Sequence, residues 1–334
     1  MKNKSQPTSK KEEMIKEVRK IMEKRGRKAL ELAKESIFKE NIQSKEIREA
    51  LKYFMEYWND LARPSLINLC CEAVDGDPEV TVSFGAAITL ICGATDIHDD
   101  IIDKSKRKMS HLTIFGKFGE DIALLLGDYL FFKGFSILNK SCKEISVEKA
   151  SRVRRVLENM LFEMGDGEAL ELRFRNNLNV ELQEYLSLLK MKAADIEACA
   201  RIGAILGGGS EKEVDVLGKY GRMLGTIFIL RDDLADAFDY EELFHRIKHE
   251  SLPLPLILTL KNPETKAETQ RIICKEKIKK EDMDILSKLI SKAKAATKVR
   301  RIINDMYLTA CSYLREIRCM NKELKILLDA TTFL

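Results

Sequence analysis

The chain has 334 residues, 45% of them hydrophobic, so it can bury a large core. Its formal net charge is only +4, from 57 basic and 53 acidic residues, which argues against the concentrated basic face of a nucleic-acid-binding protein. The first twenty residues lack the apolar core of a secretory signal, and the longest apolar stretch, residues 82–95, is too short to cross a membrane.

The cysteines indicate a reducing compartment. All eight are scattered along the chain, and none forms a Cys-x-x-Cys pair. Buried free thiols explain this pattern better than disulfides or a zinc site. We therefore expect a cytoplasmic protein without a transmembrane segment or a nucleic-acid partner.

Helical periodicity dominates the sequence. Apolar residues recur at i, i+3, i+4 and i+7 almost throughout, whereas the alternation typical of strands is scarce, so the predicted fold class is all-α. Residues 1–11 are expected to form a flexible basic tail, and residues 12–334 a single-domain helical bundle around a central apolar cavity. The predicted helices span residues 10–38, 44–60, 63–75, 80–106, 119–140, 146–176, 181–206, 212–240, 241–250, 254–261, 267–276 and 281–325.

Two aspartate triplets with the spacing Asp-Asp-x-x-Asp are the most informative motifs. They consist of Asp99, Asp100 and Asp103 in HDDIID, and of Asp232, Asp233 and Asp236 in RDDLAD. On a helix this spacing points three carboxylates roughly one way. If the triplets faced each other, about six negative charges would share a pocket, which requires cations. Mg²⁺ prefers oxygen ligands and commonly bridges carboxylates to phosphate oxygens, so the triplets predict a metal-dependent site for a phosphorylated substrate.

Apolar flanks distinguish these triplets from ordinary acidic helix faces, which remain the alternative. A solvated face is not normally embedded in such sequence. The flanking residues are Leu90, Ile91, Ile97, Ile101 and Ile102 at the first triplet, and Leu224, Ile227, Phe228, Ile229 and Leu230 before the second.

With these motifs on an all-helical chain, the sequence resembles the trans-isoprenyl diphosphate synthases over roughly residues 50 to 260. The resemblance is strongest in SFGAAITLICGATDIHDDIID, FGKFGEDIALLLGDYLFF, LLKMKAAD and GTIFILRDDLAD. It implies an isoprenoid synthase fold, usually dimeric, in which two aspartate-rich motifs bind three Mg²⁺ ions. In that family the ions grip the diphosphate of an allylic substrate and help it to leave as pyrophosphate.

The resemblance also implies substrate contacts by basic residues. Lys192 matches a family lysine that contacts the allylic diphosphate, although Ala193 follows it where a threonine is usual. Ordinary surface charge is the alternative for every basic candidate. The further candidates are Arg107 or Lys108 after the first motif, Arg231 directly before the second, and Lys248.

Small residues before the first motif bear on the length of the substrate. In the family, the residues four and five positions before that motif help to form the cavity floor, and here they are Thr95 and Ala94. Their size predicts an allylic substrate of fifteen to twenty carbons or longer, with close helix packing as the alternative. Phe131 is a candidate to line the cavity and stabilise a cation through its ring face.

The expected site for isopentenyl diphosphate departs from the family pattern. In NDLARP, Arg63 is retained as a candidate substrate contact, but Asp60 stands at the family's lysine position. Cys92 replaces a histidine or glutamine, and Lys108 and Met109 stand at a usual arginine pair. Glu168 and Glu171 resemble, in altered form, the usual Gln-x-x-Asp between the motifs.

These departures favour the hypothesis of a class I terpene synthase-like lyase. It would ionise an allylic prenyl diphosphate with Mg²⁺, and the carbocation would be cyclised, deprotonated or quenched by water. The first alternative is a chain-elongating prenyltransferase of the farnesyl or geranylgeranyl type with an unusual second-substrate site. The other is a non-catalytic partner subunit of such a synthase. A homodimer is expected from the resemblance.

Overall fold

The structure, a computed structural model, describes residues 6–108, 111–318 and 322–333. It is 81% helical, which confirms the predicted all-α class. Contacts divide the described chain into two compact units. The first contains the described residues up to Leu157 together with 198–218 and the described part of 314–330. The second contains residues 158–197, 219–313 and 331–333. The prediction of a single domain over residues 12–334 stays a prediction.

The helices of the described chain follow the predicted periodicity closely up to residue 141. A 3₁₀ turn, Pro78–Val80, precedes α4, and its Asp77 cap accepts a hydrogen bond from the backbone of Glu79. The helices in this half are α1 (Gln6–Phe38), α2 (Lys45–Tyr57), α3 (Ala62–Glu72), α4 (Thr81–Ile102), α5 (Ile114–Phe118) and α6 (Glu120–Ser141).

The remaining helices are more often interrupted than predicted. Their bounds are Val147–Phe174 (α7), Leu182–Lys192 (α8), Ala194–Gly207 (α9), Glu211–Asp236 (α10), Tyr240–His249 (α11), Leu254–Leu260 (α12), Pro263–Ile273 (α13), Lys280–Lys292 (α14), Ala295–Arg315 (α15) and Lys322–Phe333 (α16). The single predicted helix 281–325 is therefore wrong. Lys294 adopts a positive φ of 54°, which ends regular helical geometry between α14 and α15.

Two local features at the start of the chain and after α4 were not predicted. The helix α1 begins at Gln6, so residues 6–11, assigned to the flexible tail, are helical. A two-stranded antiparallel hairpin follows α4 and consists of β1 (Arg107–Lys108) and β2 (His111–Leu112). Alternation cannot reveal strands of two residues, because the pattern needs at least four.

In the first unit, α4 is largely buried and packs against α1, α3 and α6. Its approach to α6 depends on Gly127, because a Cβ there would lie 2.3 Å from Nε2 of His98. By length and composition, the segment Pro78–Ile102 could also cross a membrane, but 72% of its apolar window is buried inside the protein. Such burial is the behaviour of a core helix. The burial of α4 fixes the first acidic motif, which lies at the carboxyl end of the helix.

In the second unit, α12 is buried along its whole length and packs against α8, α13 and α14. Pro253 precedes this helix and Pro255 lies in its first turn, where a missing N–H costs no hydrogen bond. The buried start of α12 brings the backbone N–H of Leu254 to the second acidic motif, at the carboxyl end of α10.

Candidate functional site

The first acidic motif occupies the last turn of α4. Asp99 and Asp100 lie within that turn, and Asp103 is its C-cap residue. Asp100 and Asp103 are each only 6% exposed. Oδ1 of Asp99 is buried and, among the described residues, has no hydrogen-bond partner. A buried anionic oxygen without a donor is costly, which indicates that a cation is meant to complete this site.

Lys108, on β1, is the cation that the structure brings to this motif. Its Nζ lies 2.7 Å from Oδ1 of Asp100 and 3.7 Å from Oδ2 of Asp99. Burial raises the pKa of Asp100 to about 6, although Lys108 acts in the opposite direction. Burial opposes the charge on Lys108 too, but the neighbouring aspartates outweigh it and raise the lysine pKa above its usual range. The motif and the lysine therefore form one charge-coupled group.

Aromatic residues of α2 hold the hairpin that carries Lys108. The Tyr53 hydroxyl donates a hydrogen bond of 2.9 Å to the carbonyl of Leu112. The Tyr57 ring stacks on His111, with 5.3 Å between the ring centroids. His111 is paired with Lys108 in the register of the two strands. These contacts fix the backbone from which the lysine reaches the carboxylates.

The second acidic motif lies in the last turns of α10. Both oxygens of its middle residue, Asp233, accept hydrogen bonds. Asp233 is 0% exposed. The Tyr185 hydroxyl lies 2.9 Å from Oδ2 and 3.1 Å from Oδ1, and the Leu254 backbone N–H donates to Oδ2 at 3.0 Å. Arg246 donates to Oδ1 at 3.2 Å. Burial raises the pKa of Asp233 against these stabilising contacts. The oxygens of Asp233 thus accept internal hydrogen bonds in this structure, and its predicted role as a metal ligand stays a prediction.

The other two aspartates of the second motif differ from Asp233. Asp236 pairs with Arg246, with 2.9 Å between Oδ2 and Nη1, and burial raises the pKa of Asp236 to about 6. Asp232 is exposed, and no hydrogen bond or ion pair engages it within the described ranges. Sequence reasoning missed Arg246 and Tyr185, because nothing in their local sequence indicates that they contact a motif 13 and 48 residues away.

Lys192, predicted to contact the allylic diphosphate, lies between two carboxylates of α7. It forms a very short contact with Glu171 and lies 3.4 Å from Glu168. The Ser251 hydroxyl donates to the other oxygen of Glu171 at 2.6 Å. Burial opposes ionisation of Glu171, but the contacts of Lys192, the charge of Arg246 and the hydrogen bond from Ser251 together lower its pKa to about 2. The positive charge of Lys192 is thus balanced by these carboxylates.

The remaining basic candidates are also engaged by protein groups. Nη1 of Arg63 lies 3.0 Å from Oδ2 of Asp60, and its Nη2 lies 3.7 Å from Asp96. Asp60 also accepts hydrogen bonds from the backbone of Ala62 and of Arg63. It therefore satisfies two backbone N–H groups at the start of α3, although Leu61 is the N-cap residue. The acidic residue at this position thus has a local structural function.

The three further basic candidates lie on α10, α11 and β1. Arg231 donates to the carbonyl of Thr331, near the end of α16, at 3.0 Å. Lys248 approaches the carbonyls of Lys275 and Glu276 at 3.5 Å. Arg107 is exposed on β1. Their roles in substrate binding stay predictions. Met109, which stands at the position of a family arginine, lies outside the described residues.

The small residues before the first motif are closely packed. Ala94 is 0% exposed, and a Cβ at Gly93 would lie 2.6 Å from the Trp58 ring. The Thr95 hydroxyl donates to the carbonyl of Cys92 at 2.8 Å. Gly93 and Ala94 are thus closely packed and Thr95 is partly exposed, and the predicted cavity floor at Ala94 and Thr95 stays a prediction. Phe131, also predicted for the cavity, is partly buried on α6.

The carboxylates fit Mg²⁺ only together with other ligands. Among the described residues, no three acidic, histidine or cysteine side chains converge closely enough to hold an ion by themselves. Mg²⁺ usually keeps several waters and takes one or two carboxylates plus substrate phosphates. The unpartnered oxygen of Asp99 suits such partial coordination by protein groups, and so, taken by itself, does the exposed Asp232. The predicted number of three ions stays a prediction.

Comparison with known families gives a match over most of the chain. Residues 44–290 match the family model described as Polyprenyl synthetase. A short chain isoprenyl diphosphate synthase from Methanothermobacter thermautotrophicus is 35% identical over 227 residues, covering 68% of each chain. A geranylgeranyl diphosphate synthase from Saccharolobus solfataricus is 27% identical over 290 residues, covering 83% of this chain and 86% of that protein.

Solved structures extend the similarity to nearly the full length. The crystal structure of geranylgeranyl pyrophosphate synthetase from Pyrococcus horikoshii superposes with a TM-score of 0.84 and 26% identity. The match covers 96% of this chain and 98% of the other. A geranylgeranyl pyrophosphate synthetase from the archaeon Geoglobus acetivorans, at 23% identity and a TM-score of 0.82, has the same fold.

Proposed function

The chain belongs to the polyprenyl synthetase family, and from this premise we propose that it is a Mg²⁺-dependent prenyltransferase that elongates an allylic diphosphate with isopentenyl diphosphate. We propose a product of the geranylgeranyl type, because several similar proteins carry that name. The alternative hypothesis of chain elongation is thus better supported by the relatives than the main hypothesis of a terpene synthase-like lyase.

The observation that carries the proposal is the pair of neighbouring carboxylates in the first motif. The buried Oδ1 of Asp99 lacks a hydrogen bond among the described residues, and the buried Asp100 pairs with Lys108. Within the first motif, Asp99 is the aspartate that would hold Mg²⁺, and within the second motif it is Asp232. The metal, when bound, neutralises the negative charge that develops on the departing diphosphate.

Within this proposal, Lys108 has two partners in turn. Without a divalent cation it neutralises Asp100 and Asp99 from the hairpin. If a cation were held by those carboxylates, Lys108 would be available to donate to a diphosphate oxygen. Charge-assisted hydrogen bonds of this kind are shorter and stronger than neutral ones.

The test is a product assay with radiolabelled isopentenyl diphosphate. The purified protein is incubated with farnesyl diphosphate as allylic substrate and Mg²⁺, and the products are separated by chain length. We expect a labelled twenty-carbon diphosphate that disappears when a chelator removes the metal. Release of pyrophosphate without incorporation of label would contradict elongation.

One structural observation favours ionisation without elongation as a second candidate function. Asp60 and Asp96 surround Arg63, which the resemblance makes a contact for isopentenyl diphosphate. A guanidinium already paired with a carboxylate attracts a trianion less strongly. The same assay without isopentenyl diphosphate distinguishes the two functions. Formation of a hydrocarbon or alcohol from farnesyl or geranylgeranyl diphosphate alone would support the second candidate.

A further inference from the structure

The connection between α14 and α15 is the most one-sided charged segment of the second unit. Residues 285–304 contain six lysines and arginines and no aspartate or glutamate, although the whole chain has 57 basic and 53 acidic residues. This segment therefore carries a formal charge of +6, which exceeds the +4 of the whole chain. Its basic residues are Lys288, Lys292, Lys294, Lys298, Arg300 and Arg301.

These basic residues are all exposed, and most of them have no acidic partner. Lys292 is the exception, because its Nζ lies 3.6 Å from a carboxylate oxygen of Glu264 on α13. Within the described ranges, no ion pair and no side-chain hydrogen bond engages the other five. An anionic partner could therefore approach five of the six charges without displacing a carboxylate of the protein.

The buried face of α14 fixes the direction of its two lysines. Met283, Leu286 and Ile290 are buried, and the helix packs against α11, α12 and α13. Lys288 and Lys292 are four residues apart, and helical spacing places them together on the opposite face. Both lysines thus point away from the core, towards the end of the helix at which the chain turns into α15.

The outer face of α15 combines positive charge with an exposed apolar side chain. Arg301 and Leu308 are seven residues apart, so they share the face opposite the buried Val299. Leu308 is 57% exposed. Lys298, one turn before Arg301, and Asp305, one turn after it, flank this face. A helix surface with unpaired cations beside an exposed leucine is typical of contact with a membrane interface.

The leucine distinguishes a membrane from the other polyanions that a basic surface attracts. A lipid headgroup layer covers acyl chains into which an apolar side chain can insert while the cations contact phosphate groups. A nucleic-acid backbone offers an exposed leucine no such apolar contact. Clusters of about four to eight lysines and arginines on amphipathic helices bind anionic lipids, and this segment has six.

We propose that the basic corner, formed by Lys288, Lys292, Lys298, Arg301 and Leu308, is a docking surface for the anionic headgroups of a lipid bilayer. Binding is electrostatic and reversible, with the leucine inserted at the level of the headgroups. The inference goes beyond the proposed function, because it concerns where the protein is held and not which reaction it catalyses.

Co-sedimentation of the purified full chain with vesicles tests the docking surface. The vesicles consist of phosphatidylcholine alone or of phosphatidylcholine with about one-third phosphatidylglycerol. We expect binding to the anionic vesicles only, and a loss of at least about tenfold when the salt concentration rises from about 0.05 M to about 0.5 M, because salt screens exposed charges. Equal binding to both kinds of vesicle, or binding to neither, would overturn the inference.

A triple variant, Lys288→Gln with Lys298→Gln and Arg301→Gln, locates the binding surface. Each basic residue near an anionic membrane strengthens binding by about fivefold, so the triple variant should bind roughly 100-fold more weakly. These side chains are exposed, so the variant should fold as wild type does, which circular dichroism checks.

The matched control removes the same charge from α1, where glutamates alternate with the lysines. Its three substitutions are Lys16→Gln, Lys20→Gln and Lys24→Gln. Vesicle binding by this control should stay within about threefold of wild type, since its lysines belong to a face of mixed charge. Equal losses in the two triple variants would show unspecific attraction and would overturn the basic corner.

Leu308→Gln and a DNA duplex test the choice of a membrane. The substitution should weaken vesicle binding by roughly fivefold, because it removes the apolar contact. Vesicle binding unchanged in Leu308→Gln, or binding of the duplex as tight as that of anionic vesicles, would overturn that choice. These measurements need neither substrate nor metal, so their failure leaves the proposed elongation intact. An inactive protein that binds anionic vesicles would contradict the proposed function alone.

Discussion

At the scale of single residues, neighbouring aspartates of one motif differ completely in their surroundings. Asp233 is saturated by hydrogen bonds, whereas Asp232, one position earlier, is exposed. The spacing of the motif is visible in the sequence, but the difference between its members is not. It arises from Tyr185 and Arg246, which other helices bring to the site, so sequence spacing alone could not assign the ligands.

The buried pair of Glu171 and Lys192 predicts a specific acid sensitivity. The pKa of Glu171 is lowered to about 2 in the folded protein, below its usual value of about 4.3 when unfolded. Its stabilising contribution is therefore complete above pH ~4.5 and is lost as the pH falls towards 2. The free energy of unfolding, from urea titrations between pH 6 and 3, should fall more steeply in wild type than in Glu171→Gln. Parallel curves would show that the pair does not contribute.

At the scale of elements, helix periodicity predicted the helices well but not their interruptions. The predicted helix 181–206 is divided at Ala193 into α8 and α9, although its ends were correct to within one residue. The hairpin that carries Lys108 was missed, because its stability comes from contacts with Tyr53 and Tyr57 of α2 rather than from its own residues. Interruptions of this kind depend on tertiary packing, which local sequence does not contain.

The close approach of α4 and α6 gives a prediction about glycine. Gly127→Ala should destabilise the protein by about 1–3 kcal/mol, because its Cβ would overlap the His98 ring and force a shift in packing. Gly165 on α7 is the matched control, since it is exposed and a Cβ there meets nothing within 4 Å. Gly165→Ala should instead be neutral or stabilise by up to about 1 kcal/mol, because alanine favours the helix.

Thermal and urea unfolding of both glycine variants measure the difference. An unchanged stability in Gly127→Ala would mean that His98 moves aside without cost. Because His98 directly precedes Asp99, loss of metal binding in a stable Gly127→Ala protein would further show that this contact positions the first motif.

At the scale of the whole molecule, the all-helical class and the family were both predictable from sequence. The acidic motifs and their apolar flanks carried the resemblance, and residues 44–290 match the family. The choice between elongation and ionisation was not predictable, because the contacts of Arg63 and Lys192 with neighbouring carboxylates cannot be read from the sequence. Relatives that are named as geranylgeranyl synthases support elongation.

The homodimer expected from the resemblance is a prediction about the whole molecule. Light scattering coupled to size-exclusion chromatography should give about twice the chain mass of 38.2 kDa. The mass should remain unchanged on dilution into the micromolar range if the interface is of the size usual for stable dimers. A mass equal to one chain at all concentrations would contradict the prediction.

Release of pyrophosphate from farnesyl diphosphate, measured with and without isopentenyl diphosphate, tests the central claim most directly. We predict release that requires Mg²⁺, is accompanied by a twenty-carbon product when both substrates are present, and falls by about 100-fold or more in Asp99→Asn and in Asp232→Asn. Substantial release in both aspartate variants, or no release by the folded wild-type protein under any of these conditions, would contradict the account.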